Sequence, residues 1–218
     1  MADKKKVLER IDIVTTLICL VPVIVGVFIY NKLPNEIATH FNVNFEPDSF
    51  SPKWFALFGL PVFMAVVQLV SCVISKLCGK ESVNNKKMML LVKMIIPILT
   101  FVIYFVFVCY ALEMIKNTGS IMMMILAIFF IVVGNYMPKI RQNGVLGVRV
   151  SWTLNNEEVW NKTHRFCGKL WVLTGVALFV LSFFDCFMIS IILIMLSTVV
   201  VPLVYSYEVY KKVTAKEN

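Results

Sequence analysis

The sequence predicts an all-α membrane protein with six transmembrane helices, both termini cytoplasmic, and one interfacial amphipathic helix between the fourth and fifth spans. Three observations carry that expectation. Hydrophobic residues make up 59% of the 218 residues and charged residues only 16%, against roughly 25% charged in a soluble domain. Several apolar runs approach the ~20 residues needed to cross a bilayer. The cations also fall unevenly between alternate loops, and short cytoplasmic loops carry the Lys/Arg excess.

The spans are read over residues 13–30, 54–77, 94–112, 121–137, 170–184 and 187–207. The first is too long for a signal-peptide core and no A-x-A-like site follows it, so it reads as a retained anchor. Only Asp185 and Cys186 separate the fifth from the sixth, which makes them a tight helical hairpin. No linker, low-complexity tract or internal repeat divides the chain. It reads as one polytopic domain over 1–218: two spans in 1–87 with an outer loop at 31–53, a third span and short outer loop in 88–120, and a region 121–218 with an inner segment at 138–169.

Orientation follows from the charges. Lys4, Lys5, Lys6 and Arg10 precede the first span, and Lys76, Lys80, Lys86 and Lys87 lie between the second and third. Lys139, Arg141, Arg149, Lys162, Arg165 and Lys169 lie in the inner segment, and Lys211, Lys212 and Lys216 close the chain. The opposite face has Lys32, Lys53 and Lys116, so the split is seventeen to three, with Lys93 at a span boundary. The net charge of +8 is explained by cations facing anionic lipid and calls for no nucleic acid.

Catalytic patterns are absent: no H-E-x-x-H, G-x-S-x-G, Walker loop or Rossmann fingerprint occurs. The two histidines, His40 and His164, fall on opposite sides of the bilayer in this topology and cannot share a site. The six cysteines form no C-x-x-C pair, and an oxidised framework or zinc site is not expected. Asp12, Lys93, Glu113 and Asp185 sit at span ends, while Gln68 and Asn135 are the buried polar candidates. The chain is therefore expected to be no enzyme and to hold neither metal nor cofactor.

The outer loop is the first informative stretch. Pro34 could open a short helix, which would place Glu36 and His40 on one side a turn apart. Asn42, Asn44, Glu46, Pro47 and Asp48 are turn chemistry. One histidine with scattered carboxylates is a weak ligand set, so a loop hydrogen-bonded to itself as a cap on the bundle is favoured over a cation site.

The inner segment has more grammar. Pro138 ends the fourth span, Asn143-Gly144 reads as a tight turn, and 145–150 as a short extended piece. Asn155 and Glu158 form an N-cap and capping-box pair, and Glu158 and Lys162 an i,i+4 pair. Trp152, Trp160 and Trp171 suit the headgroup level, on an amphipathic helix lying on the inner surface. Composition alone makes this an anchor; the alternative is a partner-docking surface.

The inner segment also resembles the signature of the SdpI family of bacterial membrane proteins. The residues that match are Gly134, Asn135, Pro138, Asn143, Gly147, Val148, Arg149, Trp152, Thr153, Leu154, Glu158, Val159, Trp160, Thr163, His164, Arg165 and Gly168. The outer loop is similar to the L-P-x-x-I-x-x-H-F-N…P-D segment of a domain often found ahead of it, through Leu33, Pro34, Ile37, His40, Phe41, Asn42, Pro47 and Asp48. Two positions depart from the pattern: Phe45 stands where the family usually has glycine, and Val150-Ser151 replaces Thr-Pro.

The resemblance implies an immunity protein in the bacterial cytoplasmic membrane that protects against a secreted, membrane-active toxin peptide. It further implies a signal receptor that holds a cytoplasmic transcriptional repressor. Its outer-loop residues would then face the peptide, and its inner residues would serve structure or partner binding. The alternatives from other classes are a small membrane enzyme or transporter acting on a lipid or envelope precursor, and a structural interaction subunit.

Overall fold

The computed structural model describes residues 8–77, 86–115, 117–144, 146–184 and 186–217. Lys4, Lys5, Lys6, Cys78, Lys80, Lys116, Val145 and Asp185 lie outside the described residues, as do the side chains of Lys76, Lys86, Lys87 and Lys216. Six helices are long and apolar enough to cross a membrane: Arg10–Lys32, Phe55–Ile74, Val92–Ala111, Thr118–Lys139, Glu157–Leu181 and Phe187–Ala215. The six-span expectation holds. The chain forms two compact units, Met1–Thr118 and Gly119–Asn218.

The first unit contains helix α1 (Arg10–Ile29), strands β1 (Glu36–Phe41) and β2 (Pro47–Pro52), helix α2 (Leu60–Leu77) and helix α3 (Lys86–Ala111). α1 packs on both α2 and α3. The apolar residues along these helices stay largely exposed on their outer faces, for example Phe28, Phe63 and Phe105, as lipid-facing positions must. A polar cluster instead ties the helix ends together. Asp12 is fully buried and its Oδ1 lies 2.8 Å from Lys93 Nζ, while its Oδ2 accepts from the Glu9 backbone N–H at 2.8 Å. Gln68, also buried, donates to Thr15 Oγ1 at 2.9 Å and to the Lys93 carbonyl at 2.9 Å. One side chain of α2 thus reaches both α1 and α3.

In place of the short helix expected after Pro34, the loop folds as an antiparallel hairpin, with Glu36 opposite Pro52, Ile37 opposite Ser51 and Phe41 opposite Pro47. The alternation of Ile37, Thr39 and Phe41 suits a pleated strand. Asn42 fixes the turn: its Oδ1 accepts from Asn44 N at 2.8 Å and Glu46 N at 3.0 Å. Two hydrogen bonds accepted by one amide oxygen favour a turn over the helical ladder.

The second unit comprises helices α4 (Thr118–Tyr136), α5 (Ser151–Leu154), α6 (Glu157–Leu181), α7 (Phe187–Met195) and α8 (Val201–Glu217). The amphipathic helix expected ahead of the fifth span is the first part of α6 and runs into that span without a break. Its cap is Asn156, which accepts from Val159 N at 3.1 Å, and not Asn155: the chain turns through α5 one residue further than the sequence pattern suggests. α4 and α6 meet backbone to backbone. A Cβ on Gly168 would lie 2.7 Å from the Gly134 carbonyl oxygen, and one on Gly175 2.7 Å from that of Ala127. Small residues that let membrane helices approach this closely gain dispersion contact that lipid cannot replace.

Of Pro22, Pro61, Pro97 and Pro202, two follow a π-helical turn. Pro61 comes after Phe55–Gly59 and Pro202 after Leu196–Val200, whereas Pro22 and Pro97 lie inside regular helix. A wider turn ahead of proline absorbs its missing N–H and ring bulk.

Candidate functional site

Two regions carry the residues that the sequence singled out. In the first unit, the hairpin is anchored by apolar side chains. Leu33 and Ile37 are buried with Leu57 and Tyr104 in one cluster. Phe41 meets Tyr110 edge-on at 5.3 Å between centroids, and Phe107 at 6.4 Å. Across the strands, His40 Nδ1 lies 2.5 Å from Asp48 Oδ1, and Thr39 pairs with Ser51 through their hydroxyls at 2.8 Å. Both members of the His40–Asp48 pair are exposed. Pro47 opens β2 on the edge where no ladder N–H is required. Pro34 borders a groove between the hairpin and the end of α3.

The hairpin is thus a cap hydrogen-bonded to itself. Among the described residues, no group of three His, Cys, Asp or Glu side chains could hold a metal ion. Phe45 occupies the tip with φ 59, the left-handed conformation for which glycine is suited.

In the second unit, the segment between α4 and α6 is folded through its own polar groups. His164 is buried beneath it. Its Nδ1 sits 2.8 Å from the Trp160 carbonyl oxygen and its Nε2 accepts from Val148 N at 3.1 Å. With a carbonyl at Nδ1 and an N–H at Nε2, the ring is the neutral Nδ1–H tautomer. It stacks on Trp160 at 4.0 Å between centroids. Gly147, at φ 110, passes directly over the Nε2 edge, where any Cβ would overlap the ring.

Thr153 is fully buried and its hydroxyl donates to Val148 O at 2.7 Å, closing the loop onto α5. Gln142, which the sequence reading passed over, donates to Leu154 O at 2.8 Å. Arg149 Nη1 reaches the Gly144 carbonyl at 2.6 Å.

The tryptophans, expected at the headgroup level, are internal clamps. Trp160 is fully buried and its Nε1 donates to Ile140 O at 2.8 Å. Trp152 donates to Ser206 Oγ at 3.0 Å and lies against Tyr207 and Tyr210. Trp171 donates to Ser197 O at 3.0 Å. A buried indole N–H needs such a partner. Ser206 and the α8 tyrosines were invisible to a reading by spacing, because their only signal is contact across the fold.

Asn135, expected to be buried, is exposed, and so are Pro138 and Arg165. Thr163 is fully buried and its Oγ1 has no hydrogen-bond partner. No strand forms over the described part of 145–150. Glu158 and Lys162 form the expected pair at 2.6 Å. With Glu157, Asn161 and Arg165 they line a shallow groove of about 370 Å³ on the outside of α6. The inner motif therefore divides into an internal lock (Gly147, Thr153, Trp152, Trp160, His164) and an outward polar face (Glu158, Lys162, Arg165).

Comparison with known proteins covers both regions. Residues 139–206 match the SdpI/YfhL protein family, and residues 17–65 match a domain of unknown function. The chain is 30% identical to Immunity protein SdpI of Bacillus subtilis (strain 168) over 204 residues, covering 92% of this chain and 96% of that protein. No solved structure matches.

Proposed function

From a chain that belongs to the SdpI/YfhL family, we propose a multi-pass membrane immunity protein that protects the bacterium carrying it from a secreted, membrane-active peptide. The observation that carries this reading is the 30% identity to Immunity protein SdpI across 96% of its length, which takes in the hairpin and the inner segment alike. The hairpin, with Leu33, Pro34, His40, Phe41, Asn42, Pro47 and Asp48, is the peptide-facing surface. It is rigid by its own hydrogen bonds and rises from the apolar bundle where a peptide in the outer leaflet would meet it. On the other side, the outward polar face of α6 is the surface suited to a cytoplasmic repressor. Arg165 offers a planar donor fork there, while Asn135 and Pro138 mark the helix end beside it.

The experiment is expression in a Bacillus subtilis strain lacking its own immunity protein, challenged with supernatant from a strain that secretes the peptide. Wild-type chain should restore survival. His40→Ala and Asp48→Ala should each lower protection at unchanged protein level, because each leaves half of the cross-strand pair. Sensitivity equal to the empty vector would remove the reading.

A further inference from the structure

We infer that the groove beneath the hairpin receives a basic side chain of an amphipathic peptide, with Glu36 and Glu113 holding the cation. The inference rests on the immunity reading for the identity of that peptide. The groove, of about 490 Å³, lies between β1, β2 and the end of α3, and Glu36, Ile37, Ala38, Phe50, Tyr110 and Glu113 line it.

Its two carboxylates differ from the others of the hairpin. Asp48 is paired with His40, and Glu46 accepts from Asn42 Nδ2 at 3.2 Å. Glu36 and Glu113 come from separate elements, and neither has an ion pair among the described residues. The nearby Lys53 is engaged elsewhere: its Nζ lies 4.6 Å from the Tyr30 ring centroid and 3.5 Å from the Leu33 carbonyl.

The position of Glu113 adds to the field. It follows the C-terminus of α3, where Met114 N bonds back to Cys109 O at 2.9 Å. The carbonyl end of a helix carries partial negative charge and favours cations over carboxylates. A carboxylate there, lining the same groove as a second one, makes the groove complementary to an ammonium or guanidinium. The rest of the lining is apolar and aromatic: Phe50 is half exposed, and Tyr110 is a ring of the kind that attracts a cation. Cationic head and apolar neighbours together describe a basic residue within a hydrophobic peptide.

The test uses full-length protein in phosphatidylcholine nanodiscs, titrated with the peptide acetyl-Leu-Trp-Lys-Trp-Leu-amide and its norleucine counterpart. Empty nanodiscs supply the lipid background. The lysine peptide should bind at least fivefold more tightly than the norleucine peptide. Glu36→Gln and Glu113→Gln should each reduce that preference, and the double variant should abolish it. These swaps keep shape and touch no side-chain hydrogen bond among the described residues, so the fold is retained.

Equal binding of the two peptides by wild type, or an undiminished preference in the double variant, overturns the groove. In the survival assay, a double variant that protects as well as a protecting wild type also overturns it and leaves immunity standing. A wild type that protects nothing removes immunity, and the toxin as occupant with it, whatever the nanodisc result.

Discussion

Gly147 and His164 make one device from two residues. The backbone at Gly147, with φ 110, brings Val148 N–H onto the imidazole, and no other residue type offers both that conformation and the empty space. His164→Gln keeps a polar end but loses the ring stack on Trp160 and weakens the bond to Val148, leaving a buried N–H at a cost of about 1–3 kcal/mol. Gly147→Ala meets both the conformational penalty and a steric overlap that moves the whole loop. The thermal midpoint in detergent should therefore fall further for Gly147→Ala than for His164→Gln; the reverse order would mean that the loop hangs on something other than this contact. Phe45 is the opposite case, a large residue at φ 59. Left-handed backbone costs a side-chain-bearing residue roughly 1–2 kcal/mol, and glycine gives back about 0.5–1 in unfolded-state entropy. Phe45→Gly should stabilise the hairpin by up to about 1 kcal/mol, seen as slower amide exchange across β1 and β2. Faster exchange would show that the ring's contacts outweigh the strain.

At the scale of elements, the helices were legible because each is a long apolar run, and their joins were not. A short helix is one reading of the hairpin residues, because Pro34 and the Glu36/His40 spacing fit one. The competing signal, the alternation of Ile37, Thr39 and Phe41 before an asparagine-rich turn, was equally present in the residues. Asp12 and Lys93 look like span-end charges in sequence; only packing shows Asp12 buried with Lys93 at 2.8 Å. That pair sets up a double-mutant cycle. Removing one partner of a buried pair strands the other charge and costs about 3–5 kcal/mol, whereas replacing both by apolar groups is often close to neutral. Asp12→Leu and Lys93→Met should each lower the unfolding midpoint in detergent sharply, and the double variant should recover most of the loss. Additive losses would show that the two charges are hydrated separately and that Gln68 carries the polar link between α1 and α3 without them.

At the scale of the whole molecule, function depends on which face of the membrane each motif meets, and charge distribution governs that choice. Seventeen cations fall on one set of loops and three on the other, a bias that predicts the rich set to be cytoplasmic, because short, Lys/Arg-rich loops stay inside. The motifs divide along the same line: the hairpin belongs to the poor set and the inner segment to the rich one. A toxin-facing hairpin and a repressor-facing α6 both require that arrangement, so a single measurement bears on both. Cysteines introduced at Asn44, on the hairpin turn, and at Asn161, on the exposed side of α6, report the two faces without disturbing a cap. Cys78 falls in a cytoplasmic loop of this topology, and Cys186 is partly accessible near the turn between α6 and α7, on the same face as the hairpin in this topology, so the background carries Cys78→Ser and Cys186→Ser. Cys19, Cys72, Cys109 and Cys167 are buried and stay silent in intact cells. A membrane-impermeant maleimide should label Asn44→Cys in whole cells and Asn161→Cys only after permeabilisation. The opposite pattern would invert the topology, placing the Glu36–Glu113 groove in the cytoplasm, out of reach of any secreted peptide.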